Sequence, residues 1–208
     1  MWWVVAAAAL VVAATSLWSV LPRHHPAIFD VAGTSPAPVP HVKSRVGPVA
    51  RSRPEVLSIP SIGVQTRLGL VGLQADRQVQ VPASTAYASW FDLGPTPGQV
   101  GSAVILGHVD SYKGPGVFFR LRTLAVGASV NVTLADGVRA SFAVTGVVQY
   151  SKSAFPDALV YGSHGERALQ LVTCGGVFDH RTGHYESNIV VFTRLRGVTS
   201  RPLASSPG

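Results

Sequence analysis

The sequence predicts an all-β domain, a barrel or a sandwich, behind an apolar N-terminal segment. Between residues 55 and 196, short apolar or alternating runs recur with glycine- or proline-containing turns between them, a pattern typical of all-β barrels and sandwiches. Few windows of this region show the periodicity of an amphipathic helix. The region is rich in Val, Leu, Ile and Phe, so it can bury a core of its own.

Residues 1–21 form a separate apolar segment. Trp2 to Leu21 carry no charge and are mostly Ala, Val and Leu, and about 20 such residues in a helix match the thickness of a bilayer core. We expect one uncleaved transmembrane helix; the alternative is a cleaved signal peptide, which would have a basic start and a shorter apolar run. Taken alone, Arg23 after this segment favours the cytoplasmic side for the rest of the chain.

Residues 22–54 are predicted to form a basic, semi-rigid linker, because they contain seven prolines and few large apolar side chains. The linker carries a net charge of +4, whereas residues 55–196 have eleven basic and nine acidic side chains. The folded part therefore lacks the concentrated positive charge of a nucleic-acid-binding domain. The linker is expected either to face an anionic lipid or wall-polymer surface or simply to be solvated. The tail, residues 197–208, is rich in Ser and Pro and is expected to fray.

Each strand is predicted from its own pattern. The domain opens with short apolar runs at 56–64 that Pro60 interrupts. A short strand is expected at 78–81, ending at Pro82. One helical turn is expected within 117–124, a long loop or short helix at 151–165, and a hairpin at Ala135-Asp136-Gly137. Further strands are predicted at 102–106, 129–134, 139–148, 168–172 and 188–195.

Cys174 is the only cysteine, which excludes an intramolecular disulfide. It follows the predicted strand 168–172, and Gly175 and Gly176 after it are expected to break that strand and leave the backbone open around the sulfur. A lone cysteine is most often a small buried apolar residue. A catalytic interpretation therefore needs a second reactive group nearby.

His108 supplies that second group, because it follows the predicted strand 102–106. Neighbouring strand ends meet at the rim of a closed barrel, so His108 and Cys174 can come together there. A free thiol has a pKa of roughly 8.5 and needs a base or positive neighbour to become a thiolate. A histidine can fill that role and later protonate a leaving amine. An arginine or backbone amides could then stabilise the oxyanion.

Three segments resemble those of a sortase: 106–110 (Leu-Gly-His-Val-Asp), 171–174 (Leu-Val-Thr-Cys) and 188–191 (Asn-Ile-Val-Val). The run Thr-Cys-Gly-Gly-x-Phe-Asp, followed by Gly-His-Tyr, is similar to the actinobacterial class F enzymes. The resemblance covers roughly residues 55–196. The resemblance is specific because the strand with His108, the strand with Thr173 and Cys174, and the last strand follow one another in this order. One predicted membrane anchor and one linker precede them.

This resemblance implies a closed eight-stranded β-barrel with short helices, held outside the membrane by the N-terminal helix. We give this implied location more weight than the position of Arg23, which taken alone favours the cytoplasmic side. The implied activity is that of a cysteine transpeptidase. It would cleave a surface-protein sorting signal of the Leu-Pro-x-Thr-Gly type between Thr and Gly through a thioester, and pass the product to an amine such as that of a cell-wall precursor. No cofactor, metal or nucleic acid is implied, and a monomer is expected.

Site residues follow from the resemblance position by position. His108 and Cys174 match the catalytic pair, and Thr173 precedes the nucleophile, where it is expected to shape the substrate pocket or only to pack in the strand. The family's arginine lies at or just before the last strand, but the segment 185–188 contains none. Arg181 is therefore the candidate.

Several alternatives stay open on the sequence alone. Arg194 is a second, less favoured candidate for the arginine, and Asp110 either orients His108 or caps its turn. His180 and His184 are four residues apart, but they occupy a loop without an evident third ligand, so no metal site is predicted. The missing arginine also admits a second function, a membrane-tethered β-barrel that binds a peptide at a degenerate site.

Overall fold

The computed structural model describes residues 47–200, and their strands close into a barrel. The predicted transmembrane helix at 1–21 and the tail beyond residue 200 lie outside the described residues. Within 47–200, none of the helices is long and apolar enough to cross a membrane. The strands are β1 Pro54–Ile59, β2 Val64–Val71, β3 Ala88–Phe91, β4 Gly101–Leu106, β5 Asp110–Ser111, β6 Gly114–Pro115, β7 Ser129–Leu134, β8 Arg139–Ser151, β9 Arg167–Asp179 and β10 His184–Thr199.

Helices are few and short in this part of the chain. The α-helix α1 spans Asp157–Tyr161, and 3-10 turns occupy Pro60–Ile62, Leu121–Thr123 and Lys152–Ala154. The expected helical turn within 117–124 is confirmed by the second of these. The prediction of an all-β barrel with short helices is therefore confirmed.

Eight strands form the barrel in the order β1-β2-β3-β4-β9-β10-β8-β7, and β7 pairs with β1 to close it. Two of the neighbouring pairs, β2 with β3 and β4 with β9, are parallel, and the others are antiparallel. The β7–β8 turn contains Gly137 at φ 81°, as the hairpin signal predicts. The β5–β6 hairpin stands outside the barrel.

Side chains of β9 alternate between two apolar clusters. Leu169 and Leu171 belong to the barrel core, whereas Val172 packs in a second cluster with Val160 of α1. Successive residues of a strand point to opposite faces. Thr173 therefore shares the core face of Leu171, and Cys174 shares the face of Val172.

The predicted strand at 78–81 is wrong. Only an isolated bridge between Leu73 and Val79 occurs there, and the segment between β2 and β3 is a loop. Gln80 bonds to the residues just after β2: its backbone N–H donates to the Gly72 carbonyl, and its side-chain amide accepts from the N–H of Gly72 and donates to the carbonyl of Leu73. Pro82 then has no N–H to extend a ladder.

The two glycines after Cys174 do not break the strand, contrary to the expectation. β9 continues through them to Asp179, and its pairing with β10 resumes at Phe178 opposite Tyr185 after a register shift. Gly176 has φ 78°, which is the left-handed region that glycine enters at little cost. Gly176 and Val177 therefore form a β-bulge opposite Glu186 in a long hairpin.

The segment 47–53 packs on the barrel, although the sequence predicts a linker there. Ser52 and Thr96 exchange two hydrogen bonds of 3.2 and 3.0 Å. Arg51 donates to two carbonyls of the β3–β4 loop, and its guanidinium lies 5.3 Å from the ring centroid of Trp90. These contacts make the segment part of the folded unit.

We therefore expect a fragment that begins at Gly47 to be more stable than one that begins at Val56. The shorter fragment would lose several hydrogen bonds, each worth about 0.5–1.5 kcal/mol. Its free energy of unfolding should therefore be lower by about 3 kcal/mol in all. Urea unfolding of the two fragments measures the difference. Equal free energies of unfolding would show that the segment contributes nothing.

Candidate active site

The parallel pairing of β4 with β9 brings His108 and Cys174 together. Leu106 lies opposite Val172, and the N–H of Gly107 continues the ladder by donating to the Val172 carbonyl at 3.1 Å. His108 and Cys174 each come two residues after this pair, so they lie level with each other. The sequence-based prediction that these two strands are neighbours is confirmed.

Gly107 allows Val117 and Phe118 to pack against the end of β4 because it has no side chain. A Cβ atom at this position would lie 2.6 Å from Cδ2 of Phe118 and 2.8 Å from Cγ1 of Val117. Phe118 is fully buried in the barrel core and cannot move aside easily. The Leu-Gly-His order therefore has a steric cause.

His108 and Cys174 both line a cavity of about 650 Å³, here called the larger cavity. No hydrogen bond joins the two side chains directly in the described part of the chain. Charged side chains of Arg77, Lys152 and Asp157 line part of the cavity, and its apolar walls come from the loop between β2 and β3, from β4 and β9, and from the region of α1. These walls include Val81, Pro82, Leu106, Phe155, Tyr161 and Val172.

The ring of His108 is held by the loop between β2 and β3. Its Nε2 lies 2.6 Å from the carbonyl oxygen of Pro82. A carbonyl can only accept, so Nε2 carries a proton and donates it to this bond. Nδ1 is then the ring nitrogen that can take up a proton from another group.

A second, smaller cavity of about 260 Å³ lies on the other side of Cys174. Its lining is mixed, with charged, polar and apolar groups: Val109, Asp110, Phe118, Phe119, Arg122, Gln149, Gly175, Gly176, Tyr185 and Ile189. Thr173 and Cys174 line both cavities. The partly buried Cys174 therefore lies where the two cavities meet.

Thr173 is buried, with 3% of its surface exposed, and its hydroxyl oxygen Oγ1 has no hydrogen-bond partner among the described residues. Burying an unpaired hydroxyl is costly, about 1–3 kcal/mol by mutational data. A residue that only packed in the strand would be better as valine. The residue before Cys174 therefore holds a buried hydroxyl whose donor is unused.

Asp110 neither touches His108 nor only caps a turn. Its Oδ2 accepts a 2.5 Å hydrogen bond from the hydroxyl of Tyr185 on β10. This bond raises the pKa of Tyr185, as does burial to a lesser degree, so the phenol keeps its proton. The bond ties the segment that carries His108 to the hairpin that carries Cys174.

Arg181 lies in the exposed turn between β9 and β10 and is not among the residues that line either cavity. Its backbone N–H donates to Oδ1 of Asp179, and this bond, with one from Thr182, lowers the pKa of Asp179. A strand rises about 3.3 Å per residue, so Asp179 lies roughly 16 Å beyond Cys174 along the hairpin. The catalytic role of Arg181 stays a prediction.

Arg194 lies at the other end of the same pair of strands. It is opposite Ala168, six residues before Cys174, and its Nη2 lies 2.8 Å from both carboxylate oxygens of Glu166. Its guanidinium is therefore already paired with a carboxylate, and it lies far from the thiol.

Sequence reasoning missed several groups at the site, among them the Pro82 carbonyl, the Tyr185 hydroxyl and the side chains of Arg77, Lys152 and Arg122. Only Tyr185 had a signal, because it belongs to the Gly-His-Tyr run.

His180, a metal-ligand candidate in that same region, packs edge-on against Phe178 with ring centroids 5.0 Å apart. Within residues 47–200, no three His, Cys, Asp or Glu side chains are grouped as metal ligands.

Comparison with solved structures finds the same fold in several sortases. The chain is 20% identical to a sortase, SrtA, from Actinomyces oris, with a TM-score of 0.52 over 78% of this chain and 94% of that one. Sortase A of Listeria monocytogenes is 12% identical to this chain, with a TM-score of 0.54 over 73% of this chain and 92% of that one. Sortase C1 of Streptococcus agalactiae is 17% identical, with a TM-score of 0.52 over 68% of this chain. The match covers 66% of that enzyme, so this chain spans slightly less than two thirds of its length.

Identities this low show the fold alone. No curated protein matches the chain in a sequence search. The model of the Sortase domain, however, matches residues 57–196, which is most of the chain and includes both cavities. With the His108–Cys174 arrangement inside the matched region, the chain belongs to the sortase family.

Proposed function

We propose that this protein is a cysteine transpeptidase that cleaves a sorting signal of the Leu-Pro-x-Thr-Gly type between Thr and Gly and transfers the acyl part to an amine. One observation carries the proposal: Cys174 is only partly buried and lies level with His108, at the junction of two cavities. A buried structural cysteine would have no cavity on either side. The family membership supports the same reaction type.

In the first step, Nδ1 of His108 takes the proton of the Cys174 thiol, and the thiolate attacks the carbonyl carbon of the threonine. Negative charge builds on the carbonyl oxygen, where the Thr173 hydroxyl can donate a hydrogen bond. The imidazolium then returns the proton to the leaving glycine nitrogen as the C–N bond breaks. A thioester on Cys174 remains.

The larger cavity suits the apolar Leu-Pro part of such a peptide. Its volume of about 650 Å³ lies in the range of ligand sites, and Phe155 and Val172 supply apolar contacts. Burial, together with the nearby Asp157, raises the pKa of Tyr161 to about 12. The phenol therefore stays neutral and adds no charge to this wall.

We further propose that the enzyme is of class F and works outside the cell membrane, with residues 1–21 as its anchor and a cell-wall precursor as the source of the amine. The motif run 173–185 and the uncharged first 21 residues support these finer assignments. A monomer suffices for the reaction, since the described cavities lie in one chain.

A second candidate function is a tethered module that binds a wall peptide without cleaving it. The observation that favours it is the lack of an arginine in segment 185–188, where the family pattern expects one. Peptide cleavage separates the two functions, since a binding module would leave the peptide intact.

The first prediction for this site concerns the catalytic pair. Cys174→Ala should abolish cleavage of a fluorogenic sorting-signal peptide, because no other cysteine can replace it. His108→Ala should lower kcat/KM by about 10²-fold or more, as expected for loss of a general acid and base. Thermal melts should match the wild type. Turnover near wild type in Cys174→Ala would remove this residue from the mechanism.

A second prediction concerns Thr173. Thr173→Val should raise the free energy of unfolding by about 1 kcal/mol, because an unpaired buried hydroxyl disappears, yet lower kcat/KM by about 10²-fold if that hydroxyl donates to the oxyanion. Thr173→Ser is the matched control and should keep most activity. A more stable valine variant with full activity would show that Thr173 only packs in the strand.

A third prediction concerns Arg181, whose role is tested by comparing the kcat/KM of its variants with that of an Arg194 variant. If it donates to the oxyanion, the hairpin tip must fold over Cys174 with substrate bound, and Arg181→Ala should lower kcat/KM by about 10²-fold. Arg181→Lys should recover only part, since lysine lacks the planar fork of donors. Arg194→Ala is the control, because Glu166 already engages that guanidinium. A loss below about threefold at Arg181 would leave the charge to Thr173 and other donors beside the thiol.

A further inference from the structure

We propose that the smaller cavity binds the acceptor, and that the acceptor is a primary amine with a carboxylate close by in the same molecule. This inference rests on the proposed transpeptidase function and names its second substrate by chemical class. It also gives the two cavities separate tasks, with the acyl donor in the larger one.

The position of Cys174 permits this division. Thr173 and Cys174 are the two residues that line both cavities. A thioester whose peptide lies in the larger cavity would present its carbonyl carbon at the junction. A nucleophile in the smaller cavity can then reach that carbon without crossing the bound peptide.

Charges in the smaller cavity fit a zwitterionic end group. Asp110 and Arg122 both line it, and they form no ion pair with each other or with another described residue. Asp110 uses Oδ2 for the bond from Tyr185, which leaves Oδ1 to accept from an ammonium group. The exposed guanidinium of Arg122 makes no hydrogen bond within residues 47–200, and its fork of donors matches a carboxylate.

The wall beside the thiol is kept open by glycine. A Cβ atom at Gly175 would lie 2.7 Å from Cγ1 of Ile189, and one at Gly176 would lie 2.8 Å from Oγ of Ser187. Gly176 also has φ 78°. No side chain therefore projects from these two positions, and the cavity stays accessible from the bulge.

The transfer step balances as follows. The acceptor arrives as an ammonium ion bound to Asp110 and loses one proton to solvent. The neutral amine attacks the thioester carbon, a C–N bond forms, and the C–S bond breaks with its electron pair returning to sulfur. The nitrogen loses a second proton on becoming an amide, and the pair of Cys174 and His108 takes it up. The enzyme returns to its starting state.

The test measures how the thioester divides between aminolysis and hydrolysis, using the full chain and a sorting-signal peptide. The probes are glycylglycine, which has a carboxylate, and glycylglycinamide, which lacks one. The wild type should form about tenfold more amide with glycylglycine, the effect of one charged hydrogen-bonded contact. Arg122→Ala should abolish this preference, and Asp110→Asn should lower aminolysis by both probes.

Arg120→Ala is the matched control, because Arg120 precedes Arg122 by two residues, is exposed and lines neither cavity. It should keep the wild-type ratio. Equal use of both probes by the wild type, or an unchanged preference in Arg122→Ala, would overturn the proposal. Slower thioester formation in Arg122→Ala with an unchanged product ratio would overturn it as well, and would make Arg122 an oxyanion donor instead.

Failure of the proposed function would look different, because the wild type would then form no thioester. In that case the cavity is tested by itself, through NMR shifts of the full chain on addition of glycylglycine. Shifts in the wild type that are absent in Arg122→Ala would support the site. Identical spectra of the two proteins would overturn it.

Discussion

The parallel pairing of β4 with β9 is the constraint on which the rest of the site depends. Two strands distant in sequence are held in one register, with Leu106 opposite Val172. That register alone brings a histidine and a cysteine level at the barrel rim. A shift of one residue would turn every side chain of one strand to the other face. Gly107 lets buried Phe118 pack against the end of β4, because any larger residue there would collide with that ring.

Strand alternation then divides the site in two. Thr173 faces the barrel core and Cys174 faces the second apolar cluster, yet both reach the junction of the two cavities. The larger cavity combines apolar walls with the charged side chains of Arg77, Lys152 and Asp157, whereas the smaller one carries Asp110 and Arg122. A transpeptidase has to bind two unlike substrates at one sulfur, and this arrangement offers two separate cavities that meet at that sulfur.

Local patterns predicted much of this structure. The alternating runs marked β7 and the hairpin after it, and the placement of His108 and Cys174 after apolar runs indicated that the two side chains come together at the rim. The bulge at Gly176 was mistaken for a strand end, because a glycine pair signals a break whether or not pairing resumes beyond it. The bond between Asp110 and Tyr185 spans 75 residues, and such contacts depend on register and loop path, which short motifs do not encode. Arg122 was overlooked for the same reason.

The central claim is that Cys174 carries the acyl group between the two cavities. Intact-mass spectrometry of the full chain, quenched during turnover of a sorting-signal peptide and followed by peptide mapping, tests it most directly. The account predicts an adduct on Cys174 that equals the peptide up to its threonine, and that disappears when an amine is added. Peptide cleavage without any adduct on Cys174 under these conditions would contradict it.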